Sequence, residues 1–484
     1  MMNYQRIVYS LSTILMIIGL AMFLPLFWSL YYGEADFYAL LLAGSITFLV
    51  GLIGYKNTKL EGNFLNKEVF CLVTMGWFLA SFFGSLPYLF AGTFSSFADA
   101  FFETMSGFTT TGATVLTDIE ALPHGILFWR SLTHWLGGMG IIVLFIALFP
   151  SVGIGGMQMF QAETPGGNMA KKLKPRISET AKVLWSIYLL LTLTETVLLC
   201  LLGMPLFDAL CHAFGTVATG GFSTKNASIG YYNSAGIQWV ITIFMFLAGA
   251  NFALYYKAFA TKKLGVYTRN SEFKLYVFFV LGAIFLVTSN IYVGSGNTLG
   301  ESIRQAAFQV VSIITTTGFG TVDFALWPYL GQAILVALMF IGGCAGSTGG
   351  GIKVGRILVL LKQAQLELQR SLHPRAVLNL KIDGKSMAQE NVINILQFFF
   401  LYLVIVFLGT IFMTAGGLDL VTAFTAVVTN LGNVGPGLGL AGPTQNYSFL
   451  SSLGKYFLSF LMLLGRLELY TVLVLFQPSF WRKG

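Results

Sequence analysis

Four short segments of the chain carry threonine and glycine in a pattern that could coordinate a dehydrated cation. They are Thr109-Thr110-Thr111-Gly112, Thr219-Gly220-Gly221-Phe222, Thr315-Thr316-Thr317-Gly318 and Asn433-Val434-Gly435-Pro436. Glycine permits backbone angles that residues with a Cβ avoid, so such a strand can turn its peptide oxygens toward one axis. Rings of peptide oxygens can replace the hydration shell of potassium. The candidate ligands are Thr110, Thr111, Gly112, Thr219, Gly220, Gly221, Thr316, Thr317, Gly318, Asn433, Val434 and Gly435.

The four segments occupy the same register of a repeat. Counting back twelve residues from each glycine ends on alanine every time, at Ala100, Ala209, Ala306 and Ala423. The apolar stretch between alanine and glycine is long enough for about 18 Å of helix, too short to cross a bilayer. One Thr-Gly segment alone would indicate a helix C-cap or a close-packing glycine. Four in one register predict four short helices, each followed by a strand at membrane depth.

The residues of these segments also limit the kind of ion. Sites for hard divalent cations need carboxylates among their ligands, and none of the four strands contains Asp or Glu. The cysteines have no CxxC or Cys/His spacing, so neither a disulfide framework nor a zinc site is predicted. A monovalent cation is therefore favoured. The histidines are weak candidates for proton-coupled transport, and hydrogen-bonded structural roles are the alternative for His124, His134, His212 and His373.

Composition indicates the environment in which these segments fold. The chain has 484 residues, of which 56% are hydrophobic and 10% charged, against about 25% charged residues in soluble domains. We therefore predict an all-α polytopic membrane protein surrounded by lipid, with ten membrane spans. The first two spans form an N-terminal hairpin, residues 1–66. The other eight form four repeats of helix, pore helix and filter strand, helix in a pseudo-fourfold arrangement: residues 67–181, 182–272, 273–388 and 389–484.

The distribution of charge predicts the orientation of the chain. Lysine and arginine favour cytoplasmic loops, and they cluster in the segments that would be cytoplasmic if both termini lie inside. The net charge of +8 is explained by this topology, so no nucleic-acid partner is predicted. The four short helices then enter from the outside, where an excess of acid would concentrate cations. The acids are Asp99, Glu103, Asp118, Glu120, Asp208, Glu301, Asp323 and Asp419. Helix capping is an alternative explanation for about half of them.

A glycine-rich loop, residues 342–351, interrupts the predicted eighth span at 329–361. Six of its ten residues are glycine, and each interior glycine costs a helix about 1 kcal/mol relative to alanine. No Gly-Lys-Ser/Thr follows, so a nucleotide-binding loop is not indicated. Close helix packing by small residues is an alternative to a functional break. Arg466 is a cation deep in a later span, and we hypothesise that it contacts this loop, with pairing to Glu468 as the alternative.

These motifs resemble those of the Trk/Ktr/HKT superfamily of potassium transporters, and within it the bacterial TrkH type. The resemblance covers the whole chain and includes the leading hairpin, the glycine-rich loop and Trp135-Leu136-Gly137-Gly138-Met139-Gly140. It implies one filter glycine per strand and an intramembrane gate. Plant relatives with serine in the first strand are associated with sodium, so Gly112 favours potassium. The gate residues implied are Gly346, Ser347, Thr348, Gly349, Gly350, Gly351 and Arg466.

The resemblance further implies a homodimer in the bacterial inner membrane and a cytosolic TrkA-type nucleotide-binding regulatory subunit. Coupled potassium symport remains open, because the membrane potential alone supplies about 2.3 kcal/mol per charge per 100 mV. Sodium or ammonium conduction is also open. Two other classes are less consistent with the sequence. A transporter for organic solutes would show inverted halves rather than four same-side repeats, and a membrane enzyme would need a catalytic cluster within the spans.

Overall fold

The computed structural model of the chain describes residues 2–60, 62, 64–140, 177–263, 265–295, 298–376 and 378–482. Within these ranges the fold is almost entirely helical, and the two strands Lys381–Ile382 and Lys385–Ser386 pair as a small antiparallel hairpin. The predicted span at 127–150 and the basic segment at 171–182 lie partly outside the described residues. The all-α polytopic membrane fold predicted from the sequence is confirmed.

Six helices in the described part of the chain are long and apolar enough to cross a membrane, and two bent pairs raise the count to eight. The six segments are Tyr4–Tyr32, Asp36–Asn57, Asn66–Phe90, Ala181–Leu201, Ser271–Gly294 and Gln389–Ala415. The other two predicted spans are represented by shorter helices, His124–Gly138 and Tyr329–Ile341. The latter stops at the glycine-rich loop, and Val354–Leu372 follows the loop.

Two spans that the hydropathy pattern predicts as continuous are broken, which corrects the sequence prediction. Ala235–Ala248 and Phe252–Thr261 meet at 89°, and Ser452–Arg466 and Tyr470–Phe476 meet at 114°. The first break contains Asn251, whose side chain accepts a hydrogen bond from Ala253 N and so begins a new helix. The second contains two successive residues of positive φ, Glu468 and Leu469, which a right-handed α-helix does not accommodate.

Four short helices occupy the centre of the fold: Phe97–Phe108, Leu206–Val217, Leu299–Ile314 and Leu420–Leu431. Three begin at polar caps, where Ser96, Thr298 and Asp419 accept backbone N–H groups. The repeated alanines all lie in these helices and are completely buried. A methyl group at this level fits the close approach of the surrounding helices, which explains why the register residue is alanine each time.

The N-terminal hairpin packs on this centre from one side. Its carboxylates cap the start of His124–Gly138, because Glu34 accepts a hydrogen bond from His124 N and Asp36 accepts one from Ile126 N. Two-turn and shorter elements complete the fold. These are the α-helices Leu26–Tyr32, Leu86–Phe90, Gly265–Thr268, Tyr470–Leu473 and Pro478–Trp481, and the 3-10 turns Ser228–Tyr231, Phe324–Leu326, Gly439–Ala441, Tyr447–Phe449 and Val474–Phe476.

Candidate functional site

All four short helices end in the same backbone motif. In each, the N–H of the residue before the glycine donates to the carbonyl five residues earlier, at 2.8 to 2.9 Å. The residue directly before each donor is left-handed, and this combination of hydrogen bond and backbone angle is a Schellman C-cap. The donors are Thr111, Gly220, Thr317 and Val434, and the left-handed residues are Thr110, Thr219, Thr316 and Asn433, with φ of 55°, 56°, 60° and 55°. The fourth segment therefore shares the backbone of the others despite its different side chains.

Beyond the cap, the backbone alternates in handedness. The repeat glycines Gly112, Gly221, Gly318 and Gly435 have φ of 80°, 79°, 84° and 96°, while the residue before each has a negative φ. In an ordinary β-strand, successive peptide carbonyls point to opposite sides. Alternation of left- and right-handed residues cancels that reversal, so successive carbonyls point to the same side. Glycine is required at the second left-handed position, because two such residues with a Cβ would add further strain.

The four glycines lie in a closed ring. A β-carbon built on Gly112 would meet the carbonyl oxygen of Gly220, and one built on Gly435 would lie 2.6 Å from the carbonyl oxygen of Thr111. Likewise, a β-carbon built on Gly221 would meet the carbonyl oxygen of Thr317, and one built on Gly318 would meet that of Val434. Each strand thus contacts the next in chain order, and the last contacts the first. The structure brings the twelve candidate ligands together around one axis.

The peptide oxygens of this ring are free for coordination. Among the described residues, no hydrogen-bond donor reaches the carbonyls of 110–112, 219–221, 316–318 or 433–434, and Gly435 O accepts only the Tyr447 hydroxyl, at 3.0 Å. Peptide oxygens buried without a partner are costly, and a cation is a partner of the right charge. An open cavity of about 140 Å³ touches all four glycines and forms a mouth above the ring. The geometry suits stepwise cation coordination.

Side-chain oxygens brace the first and third strands rather than line the ring. The hydroxyls of Thr109 and Thr111 lie 2.8 Å apart, and those of Thr315 and Thr317 make the same contact at 2.8 Å. The fourth strand is held differently, because Asn433 Nδ2 donates to Thr111 Oγ1 at 3.0 Å. The side chain of Asn433 therefore makes a contact between the fourth and first strands.

Several carboxylates predicted at the mouth do not attract ions there. Glu103 is fully buried and accepts hydrogen bonds from Arg130 Nε at 2.7 Å and from Val115 N at 2.9 Å. Asp99 and Asp208 are paired with lysines. Glu301, Asp323 and Asp419 cap helices, as the capping alternative predicted. Hydrogen bonding from Asn226 lowers the pKa of the exposed Asp118 carboxyl, which keeps it charged. The predicted excess of acid is accordingly smaller than the sequence suggests.

The Glu103–Arg130 pair is expected to be essential for stability. Replacing Glu103 with alanine leaves a buried guanidinium without its counter-charge, which costs about 3–5 kcal/mol. Glu103→Gln keeps the shape of the side chain and one acceptor oxygen, so this variant should lose less stability than Glu103→Ala. Denaturant unfolding of detergent-solubilised protein measures both. A Glu103→Ala variant as stable as the parent protein would contradict the assignment of this pair.

The glycine-rich loop lies directly beneath the ring. Thr348 Oγ1 donates to Val217 O at 3.0 Å, at the end of the second short helix. Gly350 N donates to Thr316 Oγ1 at 2.6 Å in the third strand, and Gly351 N donates to Gly432 O at 2.9 Å, just before the fourth. The loop therefore contacts three of the four repeats at the base of the ring.

Arg466 connects the loop to the remaining repeat. Its Nη1 donates to Thr348 O at 2.9 Å and to Thr110 Oγ1 at 3.2 Å. Its Nη2 donates to Gly137 O at 2.6 Å and to Gly138 O at 2.8 Å, at the carboxyl end of His124–Gly138, where a cation is favourable. The contact between Arg466 and the loop that we hypothesised is thus present, and Glu468 pairs with Arg356 at 2.6 Å.

The charge distribution predicts that Lys353, the first basic residue after the glycine-rich loop, lies in a cytoplasmic loop, and the structure corrects that prediction. After the glycine-rich loop the chain turns back, because Ile352 N donates to Phe340 O and Lys353 N to Ile341 O. Lys353 is consequently buried, and its Nζ donates to Gly349 O. A lysine two residues after a glycine run inside an apolar span was the available signal.

The first helix break supports the loop. Cys344 N donates to Gly249 O at 2.8 Å, and Phe252 N donates to Gly346 O at 3.0 Å, so the first break supplies backbone partners. Irregular backbone at membrane depth requires such partners. Sequence reasoning did not identify this support, although Asn251 within an apolar run was a visible signal. Nor did it single out Glu195, a fully buried carboxyl in the helix Ile177–Leu201.

The buried histidines have hydrogen-bonded structural positions. His212 Nδ1 lies 2.7 Å from Asp208 O, and its Nε2 lies 2.8 Å from Ser223 Oγ. His134 contacts Gly107 O and Phe222 N. Neither histidine belongs to a metal-binding group, since no cluster of three His, Cys, Asp or Glu residues occurs in the described ranges.

Comparison with known proteins places this arrangement in a family. A family model named TrkH and described as a cation transport protein matches residues 42–483. The Trk system potassium uptake protein TrkH of Halomonas elongata is 41% identical over 484 residues, and that of Salmonella typhimurium is 40% identical over 489 residues, with 100% of both chains covered in each case. The crystal structure of the potassium transporter TrkH from Vibrio parahaemolyticus matches with a TM-score of 0.90 and 37% identity, covering 99% of this chain and 100% of that one.

Proposed function

The chain belongs to the TrkH family of cation transport proteins, and we propose that it takes up potassium through the ring of four strands. The observation that carries this proposal is the closed circuit of Gly112, Gly221, Gly318 and Gly435, in which, among the described residues, only Gly435 O accepts a hydrogen bond, from the Tyr447 hydroxyl. Four strands of alternating handedness offer stacked rings of oxygens. Such rings take the place of potassium's hydration shell.

The proposed ligands are the peptide oxygens of the twelve residues named in the sequence analysis. Strands without carboxylates favour a monovalent ion over a divalent one. Glycine at position 112 supports potassium over sodium, by the resemblance described above. Potassium is the transported substrate in this proposal rather than a resident cofactor, and the relatives are named for its uptake.

We propose that residues 346–351 and Arg466 form the gate. The loop touches the base of three repeats and Arg466 touches the fourth, so a cation leaving the ring meets this layer next. Arg466 and the ammonium group of Lys353 both lie buried in it. Charges of like sign in a low-dielectric region repel a cation strongly, so the layer acts as an electrostatic as well as a steric barrier.

The domain and assembly predictions complete the proposal. The chain consists of the hairpin 1–66 and the four repeats bounded above, with both termini in the cytoplasm of a bacterium and the helices in its inner membrane. It forms a homodimer and binds a TrkA-type nucleotide-binding subunit on the cytoplasmic side. The basic groups that support such a docking surface lie on and after the helix Val354–Leu372: Lys362 is half-buried, and Arg370, Arg375, Lys381 and Lys385 are exposed.

Ion fluxes measured side by side in liposomes test this function. We expect potassium and rubidium to pass and sodium to pass much less, driven by an imposed membrane potential alone. Equal sodium or ammonium flux would favour the non-selective members of the superfamily. Potassium flux that requires a proton or sodium gradient would favour coupled symport, for which Glu195 is a buried titratable candidate. No flux of any monovalent cation would refute the proposal.

A further inference from the structure

His134 uses both ring nitrogens, and the chemistry of its partners fixes which one carries the proton. Its Nδ1 lies 2.9 Å from Gly107 O, and Phe222 N lies 3.2 Å from its Nε2. A carbonyl oxygen only accepts, so Nδ1 must donate. A peptide N–H only donates, so Nε2 must be unprotonated and accept. The imidazole is therefore neutral and in the Nδ1–H tautomer.

The hydrogen bond to Phe222 N orients a carbonyl of the ring. Phe222 N–H and Gly221 C=O belong to one peptide group, and in a trans peptide these two bonds point in opposite directions. His134 lies on His124–Gly138, behind the second strand. Because the N–H points back to the imidazole, the Gly221 carbonyl points away from it, toward the axis.

This restraint is particular to the second strand. The residues that follow the other three ring glycines are Ala113, Phe319 and Pro436. In the described part of the chain, neither Ala113 N nor Phe319 N donates a hydrogen bond, and proline has no N–H. His134 is thus the side chain that fixes the outermost glycine peptide of a strand from behind.

The imidazole also explains why the second strand differs in sequence. At the position before the ring glycine, the other strands carry Thr111, Thr317 and Val434, and the second carries Gly220. Gly220 has a negative φ, so its backbone does not require glycine. A β-carbon there would instead overlap the imidazole of His134. The histidine occupies the space that a side chain of the strand fills elsewhere.

We infer that His134 is a positioning residue of the ion pathway, which holds the Gly221–Phe222 peptide so that the Gly221 carbonyl faces the permeating cation. The inference rests on the proposed function, because it assigns a role in selecting the ion. Arg130, one turn earlier, stacks on Phe222 with its guanidinium carbon 3.6 Å from the ring centre, and Arg466 contacts the carbonyls that follow His134 in the same helix. Two neighbouring cations oppose a charge on the ring, in agreement with its neutral state.

Two conservative variants separate positioning from packing. In His134→Gln, the longer side chain can present an acceptor oxygen near the place of Nε2, whereas His134→Asn reaches only the place of Nδ1. We expect His134→Asn to lower the potassium-to-sodium flux ratio by roughly 3- to 10-fold, the effect of one lost hydrogen bond, and His134→Gln to stay closer to the parent ratio. A packing defect would reduce both fluxes together and leave the ratio unchanged.

His212→Asn is the matched control, because this second buried histidine bonds to Asp208 O and Ser223 Oγ and to no ring peptide N–H. Its flux ratio should equal that of the parent protein. If His134→Asn also retains the parent ratio, the inference is wrong while the proposed function stands. If the parent protein itself conducts no potassium, the proposed function fails.

A spectroscopic measurement on the unmodified protein covers the case in which the variants do not fold. Protein labelled with nitrogen-15 in its four histidines distinguishes the Nδ1–H tautomer from the Nε2–H tautomer and from the charged ring by nitrogen chemical shift. His212 also donates its Nδ1–H to a carbonyl, Asp208 O, so both buried histidines should give Nδ1–H signals, and the signal assigned to His134 should be that of a neutral ring with an Nε2 that accepts a hydrogen bond. A charged or Nε2–H ring at this position would overturn the inference without any flux measurement.

Discussion

Gly318→Ala is expected to reduce potassium flux by more than roughly 30-fold. The residue has φ of 84°, and a left-handed conformation costs a residue with a Cβ about 1–2 kcal/mol, or roughly 5- to 30-fold in population. The methyl group adds a steric conflict, because it would overlap Val434 O and lie 2.9 Å from Pro436 Cδ. The added carbon therefore displaces the neighbouring strand of the ring. Rubidium and potassium flux in liposomes measures the loss.

Gly320→Ala provides the control for this substitution. It lies two residues further on, has no positive φ, and a β-carbon there meets no atom within 4 Å. We expect its flux to match that of the parent protein. Equal losses in the two variants would mean that the ring geometry does not explain the sensitivity of Gly318, and unimpaired flux in Gly318→Ala would contradict the proposed ligands.

Arg466→Ala is expected to raise basal flux, measured without any regulatory subunit, by about 10-fold or more. A hydrogen bond from a charged donor contributes about 1.5–3 kcal/mol, which corresponds to roughly 10- to 150-fold in an equilibrium. The bond from Arg466 to Thr348 O holds the loop against the base of the ring. Removing it weakens the closed arrangement and also removes one buried positive charge from the path.

Two further variants show whether this effect belongs to the gate. Arg466→Lys keeps the charge but not the paired donors, so an intermediate rise is expected. Lys455→Ala removes a cation from the same helix, but Lys455 pairs with Asp99 at the other end and does not touch the loop. Its basal flux should be unchanged. A fall in flux after Arg466→Ala would indicate that this residue supports the conducting structure and not the closed one.

The two predictions concern the ring of four strands and the glycine-rich loop, which contact each other at the base of the ring. Arg466 donates to Thr110 Oγ1 and Gly350 N donates to Thr316 Oγ1, so the proposed gate contacts the bases of the first and third strands. These strands lie opposite each other in the ring, because the ring closes in chain order from the first strand to the fourth. Any opening of the loop must break contacts with the ring itself. We therefore propose that ion coordination at the base of the ring is physically linked to the position of the proposed gate.

Local pattern in the sequence was sufficient for the membrane class, the four short helices, the strands and the loop. Composition shows that the chain folds in a membrane, because so few charged residues cannot cover the surface of a soluble domain. The register of alanine and glycine is a local feature of each short helix and its cap, so it survives in the chain as a repeat even where Asn433 and Val434 replace threonine. A run of glycines breaks a helix wherever it occurs.

Tertiary structure alone decided how these pieces meet. The partners of Glu103, His134 and Lys353 come from chain segments that only folding brings together. From the sequence alone, Glu103 could equally be an acid at the pore mouth, His134 a proton carrier and Lys353 a cytoplasmic cation. The breaks at 249–251 and 467–469 are tolerated because their freed peptide and charged groups find partners in or beside the glycine-rich loop. Closure of the ring likewise requires contacts among four strands that are distant in the sequence. Hydropathy reports only the environment of each residue and therefore contains no information about these contacts.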